Sequence, residues 1–387
     1  MSTAVADPVA PPQAKQRETH IRPFAPADAA GVANLLTRAF SHSDKPASEE
    51  MAAYLRRVYL DYPGYDPDIA SRVMQRDDGS IVGFAGVVAT RFRLGSQTLR
   101  AALTSSLAVD EAAGDPTLAA RLLRDVQGGP QDMVLADRSN QASTNLARLL
   151  KTEIIEGYSF DWLRVLRPAG FTIAALASRV GPARLLAPLV APFDSRFAAH
   201  AAQSDTAHWA AASFARSSRN FTDRHASADD LLDLIPQFVD AFPLRPDWSR
   251  DELQHILDDV ARKQTIGDYA ARIVLTPTGT PAGLFLLHFR TRQVAQVAQI
   301  LATRGREGAV IDRTIAFAAE QGAVAIRGRS TPNLTPALME RRAVFLPDLS
   351  TTVYSRNPDI ARHFREGTAF FTGLAGENWM RLNGDRF

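Results

Sequence analysis

Apolar positions begin to recur in order at Ile21. Thr19 to Pro23 reads as a short strand, and in Ala27 to Phe40 the residues Val32, Leu35, Leu36 and Phe40 fall at helical spacing. A second helix is predicted over Glu49 to Tyr59. Arg72 to Gln75 and Ile81 to Arg93 read as strands joined by an Asp77-Asp78-Gly79 hairpin turn, and Leu99 to Val109 follows after Gly95-Ser96. Leu118 to Val126 is then helical, Met133 to Ala136 a strand, Gln141 to Leu150 a helix, and Tyr158 to Leu166 a strand that closes the unit. Residues 1 to 18 are small, polar and Pro-rich, too poor in apolar surface to offset the entropy of ordering, and read as a disordered tail.

The same order returns in the second half, as expected of an internal repeat. Ile21 aligns with Phe221 and Gly83-Phe84 with Gly283-Leu284, 200 residues on, while Gly114 aligns with Gly305 and Arg138-Ser139 with Arg329-Ser330, 191 residues on. One shortened hairpin accounts for the change. The helix ending Arg38-Ala39-Phe40 matches the one ending Asp240-Ala241-Phe242 once two residues are inserted. The repeat divides the chain into a tail (1–18), a first domain (19–166), a linker (167–216) and a second domain (217–387). Gly181-Pro182 splits the linker into helical pieces; Asp194 and Asp205 oppose its few arginines, which disfavours a membrane-surface role.

Composition narrows the function. With 45% apolar and 22% charged residues the chain is an ordinary globular protein, and Lys plus Arg (44) nearly balance Asp plus Glu (42), leaving no electrostatic footprint for nucleic acid. The absence of cysteine rules out thiolate nucleophiles, disulfide frameworks and iron-sulfur clusters. No two histidines are spaced as a metal pair, so no metal is expected. The N-terminal segment lacks the apolar run of a secretory signal, and the longest apolar region, Phe171 to Val190, is broken by Arg179, Pro182, Arg184 and Pro188, so a cytoplasmic protein outside the membrane is expected. Oligomeric state has no signal in the sequence.

The strand Ala101 to Asp110, carrying Leu107-Ala108-Val109, leads through a short loop into the helix from Leu118, and Asp137-Arg138-Ser139-Asn140 ends the next strand. This arrangement resembles the core of the GNAT N-acyltransferase superfamily, and the repeat resembles the tandem pairs of bacterial GNAT proteins. The resemblance implies an α/β fold of two tandem GNAT-like domains, each a mixed, splayed β-sheet flanked by helices, joined by a helical linker. It implies acetyl-CoA or another acyl-CoA as donor substrate and a small-molecule primary amine, possibly an amino sugar, as acceptor. In the family the strand's backbone holds the pantetheine arm while a helix N-terminus binds pyrophosphate. The residues carried over are Leu107, Ala108, Val109, Gly114, Thr117, Leu118, Ala119 and Asn140, with Arg304, Gly305, Arg306 and Gly308 in the second half.

The loop departs from the family pattern. Gly114 stands at the family's basic or Gln position and Thr117 at its glycine, while Asp115-Pro116 is a self-capping helix start. A carboxylate there would oppose pyrophosphate by about 1 to 4 kcal/mol. Acid-base groups are sparse: Asp137, Ser105 and Ser106 are the candidates for moving the amine's proton and Tyr158 for protonating the leaving thiolate, while Asp137 also suits a helix cap and Tyr158 a half-buried strand position. The family's use of a terminal carboxylate as base makes Phe387 a further candidate. Two functions remain open, an acyltransferase and a pair that has lost catalysis and serves as a binding or scaffold protein.

Overall fold

In the computed structural model, which describes residues 18–41, 43, 45–177, 220–385 and 387, the alternating stretches assemble into two mixed sheets. The first half runs β1 (Thr19–Pro23), α1 (Ala29–Ser41), α2 (Glu49–Tyr59), β2 (Arg72–Arg76), β3 (Ile81–Leu94), β4 (Gln97–Val109), α3 (Leu118–Gln127), β5 (Met133–Ser139), α4 (Gln141–Leu149), β6 (Glu153–Ile154), β7 (Asp161–Val165) and α5 (Pro168–Ala177). The second half repeats it as β8 (Thr222–His225), α6 (Ala228–Val239), β9 (Leu244–Pro246), α7 (Arg250–Ala261), β10 (Asp268–Leu275), β11 (Pro281–Phe289), β12 (Val294–Ala302), α8 (Glu307–Glu320), β13 (Ala325–Arg329), α9 (Thr335–Glu340), β14 (Val344–Leu346), β15 (Ser350–Ser355) and α10 (Pro358–Arg365). The expected tail and most of the expected linker, residues 178–219, lie outside the described residues.

Sheet A has the order β1-β2-β3-β4-β5-β15-β6, with β9 added to β3, and sheet B the order β14-β7-β13-β12-β11-β10-β8. The two halves therefore exchange a strand. β7, which the sequence reading assigned to closing the first unit, lies between β13 and β14 of sheet B, and β15 lies between β5 and β6 of sheet A. Alternation of apolar residues is the same whichever sheet receives a strand, so the pattern alone could not choose. The stretch Ala369–Leu374, expected as a last strand, makes only one bridge, from Ala369 to Leu244, before the turn Gly373–Ala375.

Both faces of β3 are covered. Phe84, Val88 and Phe92 enter one core with Val32, Leu35 and Leu36 of α1, while Ala85, Val87 and Ala89 meet Leu118 and Leu122 of α3 on the other face. Full burial of a residue such as Leu35 contributes about 1.5–3 kcal/mol. The repeat is also visible in charge. Arg22 clasps Asp28 with two bonds of 2.7 Å while Asp28 accepts the Ala25 N–H, and Arg224 clasps Asp230, which accepts the Ser227 N–H. These pairs and the strand registers make Ile21 equivalent to Asp223 rather than to Phe221, so the offset of 202 runs from the first strand through the first helix and no insertion falls between them. Among the described residues no helix is long and apolar enough to cross a membrane.

Candidate active site

Each sheet opens at one place. β4 and β5 run parallel and pair only over Ala101–Leu103 and Met133–Leu135, and β12 and β13 do the same over Val294–Gln296 and Ala325–Arg327. Beyond these apices the strands part. In sheet A the hydroxyl of Thr104 donates to Leu135 O at 3.0 Å and closes the apex. A bulge then shifts the β3–β4 register between Phe84 and Gly86, and Ser106 takes a left-handed φ of 53°. Such a bulge leaves backbone groups unpaired and re-aims side chains. Sheet B carries the matching bulge at Leu286/Leu287.

The bulge of sheet A faces a cleft of about 1120 Å³ that runs toward sheet B and is lined by residues of both halves. Ser106, Leu107, Arg138 and Asn140 line one side, Gln296 to Ala298 and Arg327 to Arg329 the other, and the C-terminal segment from Glu377 to Phe387 passes between them. Behind Ser106 the fully buried Tyr59 shares a hydrogen bond of 2.7 Å with Ser105 Oγ and reaches Ser106 Oγ at 3.3 Å. Burial pushes the Tyr59 hydroxyl up to about 12, so it stays a proton donor. Gly86 makes this possible, because a Cβ there would lie 2.4 Å from the Tyr59 oxygen.

The principal acid-base pair joins distant parts of the chain. Glu377 Oε1 accepts the N–H of Asp137 at 3.1 Å and of Arg138 at 3.3 Å, and the Glu377 N–H donates to Asp137 Oδ1 at 2.8 Å. Gly376 permits the approach, since a Cβ there would meet Asp137 Oδ2 at 2.1 Å. That Oδ2 is buried without a hydrogen-bond partner. Burial, and for Glu377 the neighbouring Asp137 charge, raise both carboxyls well above the usual carboxylate range. Each carboxyl thus disfavours ionisation of the other. Asp137 is fully enclosed and lies behind Glu377, which lines the cleft; Asp137 is not the cap of α4, a role filled by Asn140 through Ser143 N at 2.9 Å.

The segment carrying Glu377 is anchored along its length. Trp379 is buried against Tyr62 and His255. The Arg381 N–H donates to Tyr54 Oη at 2.8 Å, and that hydroxyl donates to Asp259 Oδ2 at 2.6 Å. Lys263, almost wholly enclosed, donates to Asn378 O and, at 3.0 Å, to Asn383 O. Desolvation, followed by the Arg138 charge, lowers the Lys263 ammonium to about 7. His288, expected as a satisfied strand residue, donates from Nε2 to Val260 O at 2.8 Å.

The other sequence candidates are placed as follows. Ser105 is buried; Ser106 and Leu107 reach the cleft, Ala108 is buried and Val109 half-buried. Tyr158 is enclosed in the turn Glu156–Tyr158 and its hydroxyl donates to Ala369 O at 2.6 Å, so it neither sits in a strand nor reaches the cleft. Gly114 is exposed and left-handed at φ 69°, Leu118 is core, Ala119 half-buried, and Thr117 precedes α3. Contrary to expectation Asp115 does not cap that helix: the N-cap is Thr117, no side chain caps it, Pro116 lies before it, and Asp115 accepts only from Thr117 N at 2.8 Å and Thr117 Oγ1 at 2.7 Å in the preceding turn. These bonds hold its carboxyl below the ordinary range, so a negative charge stands at the α3 N-terminus. In the second half Arg304, Gly305 and Arg306 are exposed, Gly305 has φ 81°, no side chain caps α8, and Gly308 packs against the Arg341 guanidinium. Over sheet B's bulge, Leu374 N donates to Gln299 Oε1 at 3.0 Å, so the turn Gly373–Ala375 covers it.

Sequence reasoning missed Glu377 and Tyr59. Glu377 is a lone carboxylate 240 residues from Asp137, with no spacing to announce it. The signal that could have drawn notice was Gly376-Glu377 beside Trp379, a glycine and a charge in an otherwise apolar stretch.

No family model and no curated protein matches the chain. Its fold is similar to solved structures. A GCN5-related N-acetyltransferase from Anabaena variabilis superposes with a TM-score of 0.56 at 12% identity, covering 88% of this chain and 74% of that one. One from Kribbella flavida gives 0.54 at 13% identity over 88% and 71%. Saccharomyces cerevisiae N-myristoyltransferase, solved with myristoyl-CoA and inhibitors, gives 0.51 at 10% identity over 96% and 88%. The chain thus has the GNAT fold, with two splayed sheets as the sequence resemblance implied.

Proposed function

We propose that this chain transfers an acyl group from an acyl-CoA to a primary amine, with the donor in the splayed edge of sheet A. The observation that carries the reading is the placement of Glu377 in the cleft beside the Ser106 bulge. The unpaired backbone around Leu107 and Val109 would hold the pantetheine arm as an added strand would be held. The Glu377 carboxylate takes a proton from the acceptor ammonium, and its raised proton affinity suits it to an amine whose own pKa is near 10. The free amine attacks the thioester carbonyl, a C–N bond forms and the C–S bond breaks. As the C–S bond breaks the nitrogen gives up its second proton, which reaches the departing thiolate by way of the Ser106 hydroxyl held by Tyr59, and Glu377 releases the ammonium's proton to solvent. Asp137 acts through Glu377, holding its main-chain N–H and raising its proton affinity by like charge. Acetyl is the acyl group we expect, and a small-molecule amine the acceptor.

The Asp115 carboxylate does not suit pyrophosphate at α3 as the loop stands, and donor binding requires it to turn aside. The uncapped α8 with Arg304 and Arg306 favours a second reading, in which the second half binds the donor. Titration of acetyl-CoA against melting temperature separates them. Saturation at about 100 times the dissociation constant adds about 2.7 kcal/mol; Asp115→Gly should tighten binding and Arg306→Ala leave it intact. The reverse pattern moves the donor to sheet B, and no shift in any of the three proteins removes the acyl-CoA reading and leaves the binding or scaffold function.

A further inference from the structure

Most of the charges around the cleft are held in ion pairs. Asp161 is answered by Arg327 and Arg329, and Arg327 also by Asp348. Asp385 is answered by Arg381 at 2.7 Å. Lys263 faces Asp385 and Asp137, and Arg138 faces the Asp137–Glu377 pair without an ion pair of its own among the described residues. Arg138 is left as a permanently charged group on the wall.

Arg138, half-buried, is the cation that stands apart. It lines the cleft, forms no ion pair among the described residues, and its guanidinium makes one long hydrogen bond, 3.4 Å to Asn378 Oδ1. Lys263 donates to the main-chain oxygen of the same Asn378, so both cations converge on one residue. A guanidinium has five donors in a planar fork that matches a carboxylate, and most of this fork is unused. The Arg138 main-chain N–H donates to Glu377 Oε1, which places the proposed base beside it. The same cleft is also lined by the apolar Leu36, Phe40, Met51 and Leu382, with Phe40 57% exposed.

We infer that the acceptor is a zwitterionic amine, an α-amino acid with an apolar side chain, whose carboxylate is held by Arg138 while its ammonium meets Glu377. This rests on the acyl-transfer reading above and narrows its acceptor, since a neutral amino sugar has no anion to offer Arg138. The inference is tested with matched pairs, phenylalanine against phenylalaninamide and methionine against methioninamide, with glucosamine alongside. Free thiol release from acetyl-CoA gives kcat/KM, and melting temperature without donor gives binding. The acids should exceed their amides and glucosamine at least tenfold, through KM. Arg138→Gln should bring the acid-to-amide ratio to about one and abolish stabilisation by phenylalanine.

Amides used as well as acids, or equal losses for both in Arg138→Gln, would overturn the inference. So would weakened acetyl-CoA affinity in Arg138→Gln with the acid preference kept, which would assign Arg138 to a donor phosphate. The binding arm stands apart from turnover. Stabilisation by phenylalanine that needs Arg138, in a protein that releases no thiol, would support the anion site while the transfer reading fails.

Discussion

At the scale of single residues the account turns on two carboxyls pressed together. A carboxyl whose folded pKa exceeds its unfolded value of about 4.3 keeps on folding a proton that the unfolded chain has lost. Stability from this source is therefore greatest below the unfolded pKa and declines as pH climbs toward the raised folded one. Both Asp137 and Glu377 behave this way. Asp137→Asn removes the like charge, so melting temperatures from pH 4.5 to 7 should show wild type losing stability relative to the variant, by roughly 1–3 kcal/mol across the window. His255 and His288, lowered to about 4 by burial, slope the other way but occur in both proteins and cancel in the difference. A difference that is flat with pH would mean that the pair does not repel. In catalysis the same variant should keep its turnover at high pH and move the acidic limb of the rate profile to lower pH.

At the scale of elements, the sequence announced helices and strands well where local physics decides them. α2 was legible residue for residue because Ser48 accepts from Met51 N and the apolar positions then recur on one face. The bulge in β4 was not legible, because its cause lies across the sheet in Gly86 and in Tyr59 on α2. Gly86→Ala brings a Cβ within 2.4 Å of the Tyr59 hydroxyl and 2.8 Å of Ser105 O. Denaturant unfolding should read a loss of about 1–3 kcal/mol, the usual cost of overpacking. Adding Tyr59→Phe should recover only part of it, since the main-chain contact remains; full recovery would place the strain wholly on the hydroxyl. The α3 loop was read as self-capped, whereas Asp115 turns to Thr117 ahead of the helix and leaves its first N–H groups without a side-chain cap. Asp115→Gly removes its bonds to Thr117 and should cost about 1 kcal/mol of stability while acetyl-CoA binds more tightly, a pair of opposite changes that a purely structural turn would not give.

At the scale of the molecule, the repeat was legible through glycines and Arg-Ser pairs, while the exchange of β7 and β15 was not, because pairing between distant strands leaves no local trace. The exchange has a consequence for folding. Residues 1–177 supply sheet A with a vacancy between β5 and β6, and 220–387 supply sheet B with one between β13 and β14. Each half expressed alone should be insoluble or molten, and the two halves co-expressed should associate into one folded species by size-exclusion chromatography and circular dichroism. Independently folded halves would contradict the exchange. The same exchange sets the site, since it brings Asp137 of one half against Glu377 of the other beside the Ser106 bulge. The most direct test of the central claim is the rate of free thiol release from acetyl-CoA with an amine acceptor, compared between wild type and Glu377→Gln. A positioned general base is worth about 100- to 10,000-fold, so the account predicts amine-dependent release by wild type and a loss of at least tenfold in the variant with acetyl-CoA still bound. Equal rates in the two folded proteins, or no release by wild type with any amine, would contradict it.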